Sequence, residues 1–216
     1  MKTVFAVMAV AGLAATAAAD IQINEVLGST SGSDAEFIEL HNTGATAVDL
    51  TNWSIELWDS DAGASFGQAD GSAPYFMTGS IAAGGYFTLG TALAEATYGF
   101  TADNALGANS IENSSYTMVL VDNLGNTIET FFMTDGGAGD AANIAGTIIT
   151  PDTTFGPDGT FLPAGAYRVN DGASWSILEF GQPSPSATPG AANIPAPASL
   201  ALLGLGGLAA GRRRRA

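Results

Sequence analysis

The residues best suited to chemistry in this 216-residue chain are carboxylates. Asp59 and Asp61 form an Asp-x-Asp pair, and Asp70 follows in the same Gly- and Ala-rich stretch, 59–74. A loop of this composition offers hard oxygen ligands and free backbone carbonyls, which a calcium ion collects in sets of about six to eight. Asp59, Asp61 and Asp70 are therefore the candidate ligands for one weakly held calcium. Asp135 and Asp140 form a second Gly-rich acidic turn. Neither spacing matches the EF-hand loop or a repeated calcium-binding nonapeptide.

Other chemistry fails by absence. His41 is the one histidine, set inside EFIELHN, and no H-E-x-x-H helix or phosphate-binding glycine fingerprint accompanies it. Glu36 and Glu39 stand three apart on an expected strand and so point to opposite faces, which excludes a shared pair of glycosidase carboxylates. One of the two is expected to turn inward onto backbone donors. There is no cysteine, which removes thiolate zinc sites, redox chemistry and disulfides. No catalytic residue and no resident cofactor emerge, and the chain reads as non-enzymatic. Trp58, Tyr75, Phe76 and Tyr98 lie in or near expected loops. Beside the acidic turns they raise one alternative, a calcium-dependent module that stacks its aromatics on glycans of an exopolysaccharide.

All 21 acidic residues fall between Asp20 and Glu179, where Arg168 is the single Lys or Arg. Such a segment repels phosphate backbones, and nucleic acid is excluded as a partner. The remaining basic residues sit at the two ends. Residues 1–19 carry Lys2, an apolar run from Val4 to Leu13, and Ala17-Ala18-Ala19 before Asp20. This is the pattern of a secretory signal peptide, with cleavage by signal peptidase expected between Ala19 and Asp20. At the other end, 198–211 is an apolar run expected to form a transmembrane helix, short at about 21 Å against a hydrocarbon core of about 30 Å. Arg212, Arg213, Arg214 and Arg215 follow it and should remain cytoplasmic, which places the rest of the chain outside.

Between the ends, seven short runs read as strands: Ile21 to Leu27, Glu36 to Asn42, Trp53 to Trp58, Tyr86 to Leu89, Tyr116 to Asp122, Thr127 to Met133 and Ser174 to Leu178. In WSIELW, Trp53, Ile55 and Leu57 fall on one face with Ser54 and Glu56 on the other, as a half-buried strand requires. Asp122-Asn123-Leu124-Gly125-Asn126 supplies the turn of a hairpin. A globule of about 170 residues buries roughly 70% of its unfolded surface, enough for one core. The expected organisation is a signal peptide at 1–19, an all-β sandwich at 20–193 with loop insertions near 59–74 and 134–165, and a C-terminal segment at 194–216.

Two resemblances follow from these residues. Ile23-Asn24-Glu25-Val26, Glu36-Phe37-Ile38-Glu39-Leu40 with Asn42, Val48-Asp49-Leu50 with Trp53, Ala83-Gly84-Gly85-Tyr86, Arg168 with Trp175, and Thr188-Pro189-Gly190-Ala191-Ala192-Asn193 resemble, in order, the lamin-tail domain. The resemblance implies an immunoglobulin-like β-sandwich that tethers or interacts. Pro195-Ala196-Pro197, the apolar run and the arginine cluster are similar to the PEP-CTERM sorting signal, with Ala196 where that family usually has Glu. That resemblance implies an exosortase as partner, with export to the cell surface, outer envelope or extracellular matrix of a Gram-negative bacterium. Exopolysaccharide or other surface proteins are then the expected neighbours.

Overall fold

The computed structural model describes residues 20–28, 34–159, 162–178, 184 and 186–193. The expected signal peptide and the segment 194–216 lie outside the described residues. The structure is predominantly β and consistent with an immunoglobulin-like sandwich. Its larger sheet runs Trp175–Leu178, Gly165–Arg168, Ile21–Leu27, Phe37–Asn42, Tyr86–Gly90 and Asn104–Ala105. The smaller runs Thr153–Phe155, Thr127–Met133, Tyr116–Val121, Ser54–Asp59 and Tyr75–Phe76. Two short ribbons, Val48–Asp49 with Ser80–Ile81 and Asn143–Ile144 with Thr147–Ile148, complete it.

The core is built by alternation. Ile38 and Leu40 from the larger sheet meet Ile55, Leu57, Met118, Leu120, Phe131 and Met133 from the smaller in one buried cluster. The first strand departs from strict alternation. Its pairing with Phe37–Asn42 shifts register between Ile23 and Glu25, a bulge at Asn24. Ile21, Ile23 and Val26 therefore all join the main core, while Leu27 joins a second cluster with Phe37 and Ala94. The bulge keeps Glu25 out of the apolar layer, where an unbroken period of two would have placed it.

The second cluster is covered by the helix Ala92–Tyr98, an addition to the expected strands. Thr91 caps it by accepting from the Ala94 N–H, and Gly99 ends it at φ 72°. Phe37 takes both Tyr98 and Phe100 edge-on, at 5.6 and 6.0 Å between ring centroids. All seven expected strands form, with ends that differ by a residue or so. The strands Gly165–Arg168 and Thr153–Phe155 are additional.

The segments 59–74 and 134–165 pack on each other. The Ala141 N–H donates to the Ser60 carbonyl at 3.2 Å, and Asn143 Nδ2 donates to the Asp59 carbonyl at 2.8 Å. Gly67, at φ 80°, lies so close to Gly146 that a Cβ would come within 2.3 Å of its main chain.

The expected transmembrane helix needs correction. Among the described residues no helix is long and apolar enough to cross a membrane, and Ala92–Tyr98 has seven residues. The run 198–211 lies outside the described residues and is shorter than the roughly 20 apolar residues of a helical span.

Phe131 is completely buried, whereas Leu124 at the hairpin turn is 81% exposed. Phe131→Ala should lower unfolding free energy by about 3–5 kcal/mol and Leu124→Ala by less than about 0.5 kcal/mol, read from denaturant melts of the two variants.

Candidate functional site

Four buried glutamates organise the sandwich, and each accepts main-chain N–H groups from a distant segment. Glu129, on Thr127–Met133 of the smaller sheet, accepts the Ile23 N–H at 2.7 Å and is ion-paired with Arg168 of the larger sheet. Arg168 Nε donates to the Ile23 carbonyl at 2.7 Å, and its guanidinium lies 4.6 Å from the centre of the Trp175 ring. Burial raises the Glu129 carboxyl above its ordinary range, opposed by the Arg168 charge. Glu36 accepts the N–H groups of Ser110 and Ile111 at 2.9 and 3.2 Å, and burial pushes it up to about 7.

Glu25 and Glu39 act on the outer face of the larger sheet. Thr188 donates its N–H to Glu25 at 3.1 Å, and Gly190 donates its N–H to Glu39 at 2.6 Å. Asp171 accepts from Asn193 N–H at 2.9 Å, Asn24 Nδ2 at 3.0 Å and Tyr86 Oη at 2.7 Å. The Thr188–Asn193 segment is thus clasped against the first two strands. Burial raises Glu25, with the nearby Glu39 charge adding to it, and burial pushes Glu39 up to about 8. Burial also works against the Asp171 charge, but its donors outweigh it and hold the carboxyl below the ordinary value. Glu36 and Glu39 do take opposite faces, and both, rather than one, hold backbone donors.

The acids expected to share one calcium are divided between two neighbouring clusters. Asp59 and Asp70 meet Glu112, and Asp61 meets Asp135 and Asp140, the carboxylate oxygens of each set lying within 4.8 Å of one another. Asp59 ends the strand Ser54–Asp59, and Asp70 returns to that strand by donating its N–H to the Leu57 carbonyl at 3.0 Å. Glu112 sits in the loop that precedes Tyr116–Val121, a loop held at Ser110 and Ile111 by Glu36. Burial pushes Asp70 up to about 7, and the charges of Glu112, Asp59 and Asp61 add to it. Glu112 carries no spacing signal that would tie it to Asp59 from sequence; only the pairing of Asp59 with Tyr116 brings its loop across.

His41 stacks on Tyr86 at 4.8 Å between ring centres. Three of the four aromatics considered for glycan stacking, Tyr98, Tyr75 and Trp58, are engaged within the domain. Tyr98 packs on Phe37 and its hydroxyl accepts the Ser184 N–H at 3.0 Å, and Tyr75 Oη accepts the Ser72 N–H at 2.9 Å. Trp58 donates to Glu56 at 3.2 Å, and Phe76 is 65% exposed. The cavity beside Trp58, lined also by Leu57, Ala73 and Pro74, holds about 90 Å³. Ligand pockets run roughly 300–1,000 Å³.

These carboxyls set the response to pH. A carboxyl whose folded pKa is raised binds its proton more tightly when folded. Its stabilisation is complete below the ordinary value near 4.5 and is lost as pH rises through the folded value, about 8 for Glu39. Melting temperature should therefore fall between pH 5 and pH 8, and Glu39→Gln, which keeps an acceptor but no charge, should flatten that fall in a pH series of thermal melts. Arg168→Met leaves Glu129 buried without its counter-charge and should cost about 3–5 kcal/mol. Adding Glu129→Gln should recover most of the loss in denaturant melts.

Family comparison agrees with this architecture. The Lamin Tail Domain model matches residues 14–135, more than half of the chain, and the PEP-CTERM protein-sorting motif matches 193–215. No curated protein matches the sequence. The domain match ends just past Thr127–Met133, while the later strands Thr153–Phe155, Gly165–Arg168 and Trp175–Leu178 belong to the same two sheets. The chain belongs to the lamin-tail-domain family, as an exported, non-enzymatic structural or interaction module of the cell surface that the exosortase system sorts through its PEP-CTERM motif.

Proposed function

We propose that the protein is cut at both edges of its folded unit and functions as the closed sandwich 20–193, with 59–74 and 134–165 as the insertions that distinguish it. Signal peptidase cleaves between Ala19 and Asp20, and the exosortase acts at Pro195-Ala196-Pro197, releasing the segment that ends in Arg212, Arg213, Arg214 and Arg215. The mature module resides in the outer envelope or matrix of a Gram-negative bacterium and holds exopolysaccharide or other surface proteins.

The observation that carries this reading is that the residues at both edges of the proposed mature chain are hydrogen-bonded into the sandwich. The Asp20 carbonyl accepts both the N–H and the hydroxyl of Thr43, at 2.8 and 2.9 Å, so the first residue of the proposed mature chain is itself tied into the sandwich. At the other edge Asn193, clasped by Asp171, is also the first residue of the matched sorting motif. Both cuts then fall outside the clasped core and leave its hydrogen bonds intact.

Mass spectrometry of the protein recovered from its native host should give a chain that begins at Asp20 and lacks the arginine cluster. A mature chain that still ends at Ala216 would refute the C-terminal cut, and one that retains residues before Asp20 would refute the N-terminal one.

A further inference from the structure

The two acidic clusters at the loop end of the sandwich differ in how their oxygens are occupied. In the cluster of Asp61, Asp135 and Asp140 the donors are already in place. The Ser115 N–H reaches Asp61 at 3.2 Å, the Gly137 N–H reaches Asp135 at 2.9 Å, and Asp140 receives the Ala62 N–H at 3.1 Å and the Ser115 hydroxyl at 2.6 Å. These donors hold the Asp140 carboxyl below its ordinary value although burial opposes them. That cluster is a loop clasp.

Around Asp59, Asp70 and Glu112 the supply of donors is poorer. Asp59 accepts the Asp61 N–H at 3.0 Å and Glu112 accepts the Asn113 N–H at 3.0 Å. Asp70 is 9% exposed, and its Oδ2 is sealed from solvent with no hydrogen-bond partner. Asp59 is as deeply placed, at 8%. Arg168, the one Lys or Arg between Asp20 and Asn193, is engaged with Glu129. Three carboxylates with oxygens within 4.8 Å of one another, Asp70 among them buried and with a bare oxygen, repel each other when all are ionised.

We propose that Asp59, Asp70 and Glu112 form a binding site for one calcium ion. The chemistry is selective in kind: three hard oxygen donors, two from the segment 59–74 and one from the loop before Tyr116–Val121, suit an ion that accepts variable, flexible coordination, whereas magnesium demands near-octahedral geometry and usually takes one or two carboxylates. Glu112 is half-buried, so water completes the shell from its side. The ion ties the insertion 59–74 to the loop before Tyr116–Val121 and supplies the positive charge this corner lacks. Affinity in the range of extracellular calcium modules, Kd of about 10⁻⁴–10⁻³ M, is expected. This site stands apart from the processing scheme above, and neither depends on the other.

The test is a thermal melt of the full chain after chelator treatment, with and without added calcium. Raising calcium to about 10 mM should raise Tm by roughly 3–10 °C. Glu112→Gln and Asp70→Asn should each abolish that rise, and Asp140→Asn, in the neighbouring clasp, should retain it. Asp70→Asn should also melt above the wild type in chelator, because one of the crowded charges is gone. Calorimetric titration of the wild-type chain gives a readout that needs no variant to fold, with one calcium per chain expected. No heat and no melting shift would overturn the site, as would a shift that survives both Glu112→Gln and Asp70→Asn, or one lost equally in Asp140→Asn.

Discussion

The sandwich depends on one charge pair that crosses it. Arg168 reaches from the larger sheet to Glu129 of the smaller, and the two side chains grip Ile23 from both sides of its peptide, Glu129 at the N–H and Arg168 at the carbonyl. A bulge leaves main-chain groups out of register with the ladder, and buried groups left so would be costly. The ion pair satisfies them where the Asn24 bulge interrupts the first strand. Its own burial is tolerable because each partner makes further bonds and because Trp175 covers the guanidinium face. In a segment otherwise acidic, the single Arg is therefore committed to internal architecture.

The same logic extends to the other glutamates. Glu25, Glu36 and Glu39 replace missing strand partners with carboxylate oxygens, tying down a loop and the closing segment that make no ladder of their own. Residues that look like candidate acid–base groups are thus buried and spent on architecture, their oxygens taking peptide N–H groups and, at Glu39, the Asn24 amide. The same bonds explain how a domain without disulfides holds long irregular connections against two sheets.

Much of the fold was legible in the sequence because alternation and turn residues are local signals. Ile38 and Leu40, or Ile55 and Leu57, announce their face by spacing two, and Asp122 to Asn126 announces the hairpin. Thr153–Phe155 was not legible, since three residues carry too little pattern and its parallel partner is distant. The helix Ala92–Tyr98 was written in Thr91, an Ala-rich run and Gly99, but at seven residues it is below the length at which periodicity speaks. At the acidic loops, the Asp-x-Asp pattern drew attention to the right end of the molecule. It could not separate Asp59 from Asp61, because neighbours two apart in a loop are free to turn to different partners, and it had no means of reaching Glu112 across the sheet.

The clasp on Thr188–Asn193 has a mechanical consequence. Tension applied through the C-terminal end of the domain falls first on the bonds to Asp171, Glu39 and Glu25, taken in turn from Asn193 back to Thr188, and only afterwards on the strand ladders. The closing segment is a tether of bonds in series mounted on a body of bonds in parallel. The two sheets are joined independently of it, through Arg168 and Glu129.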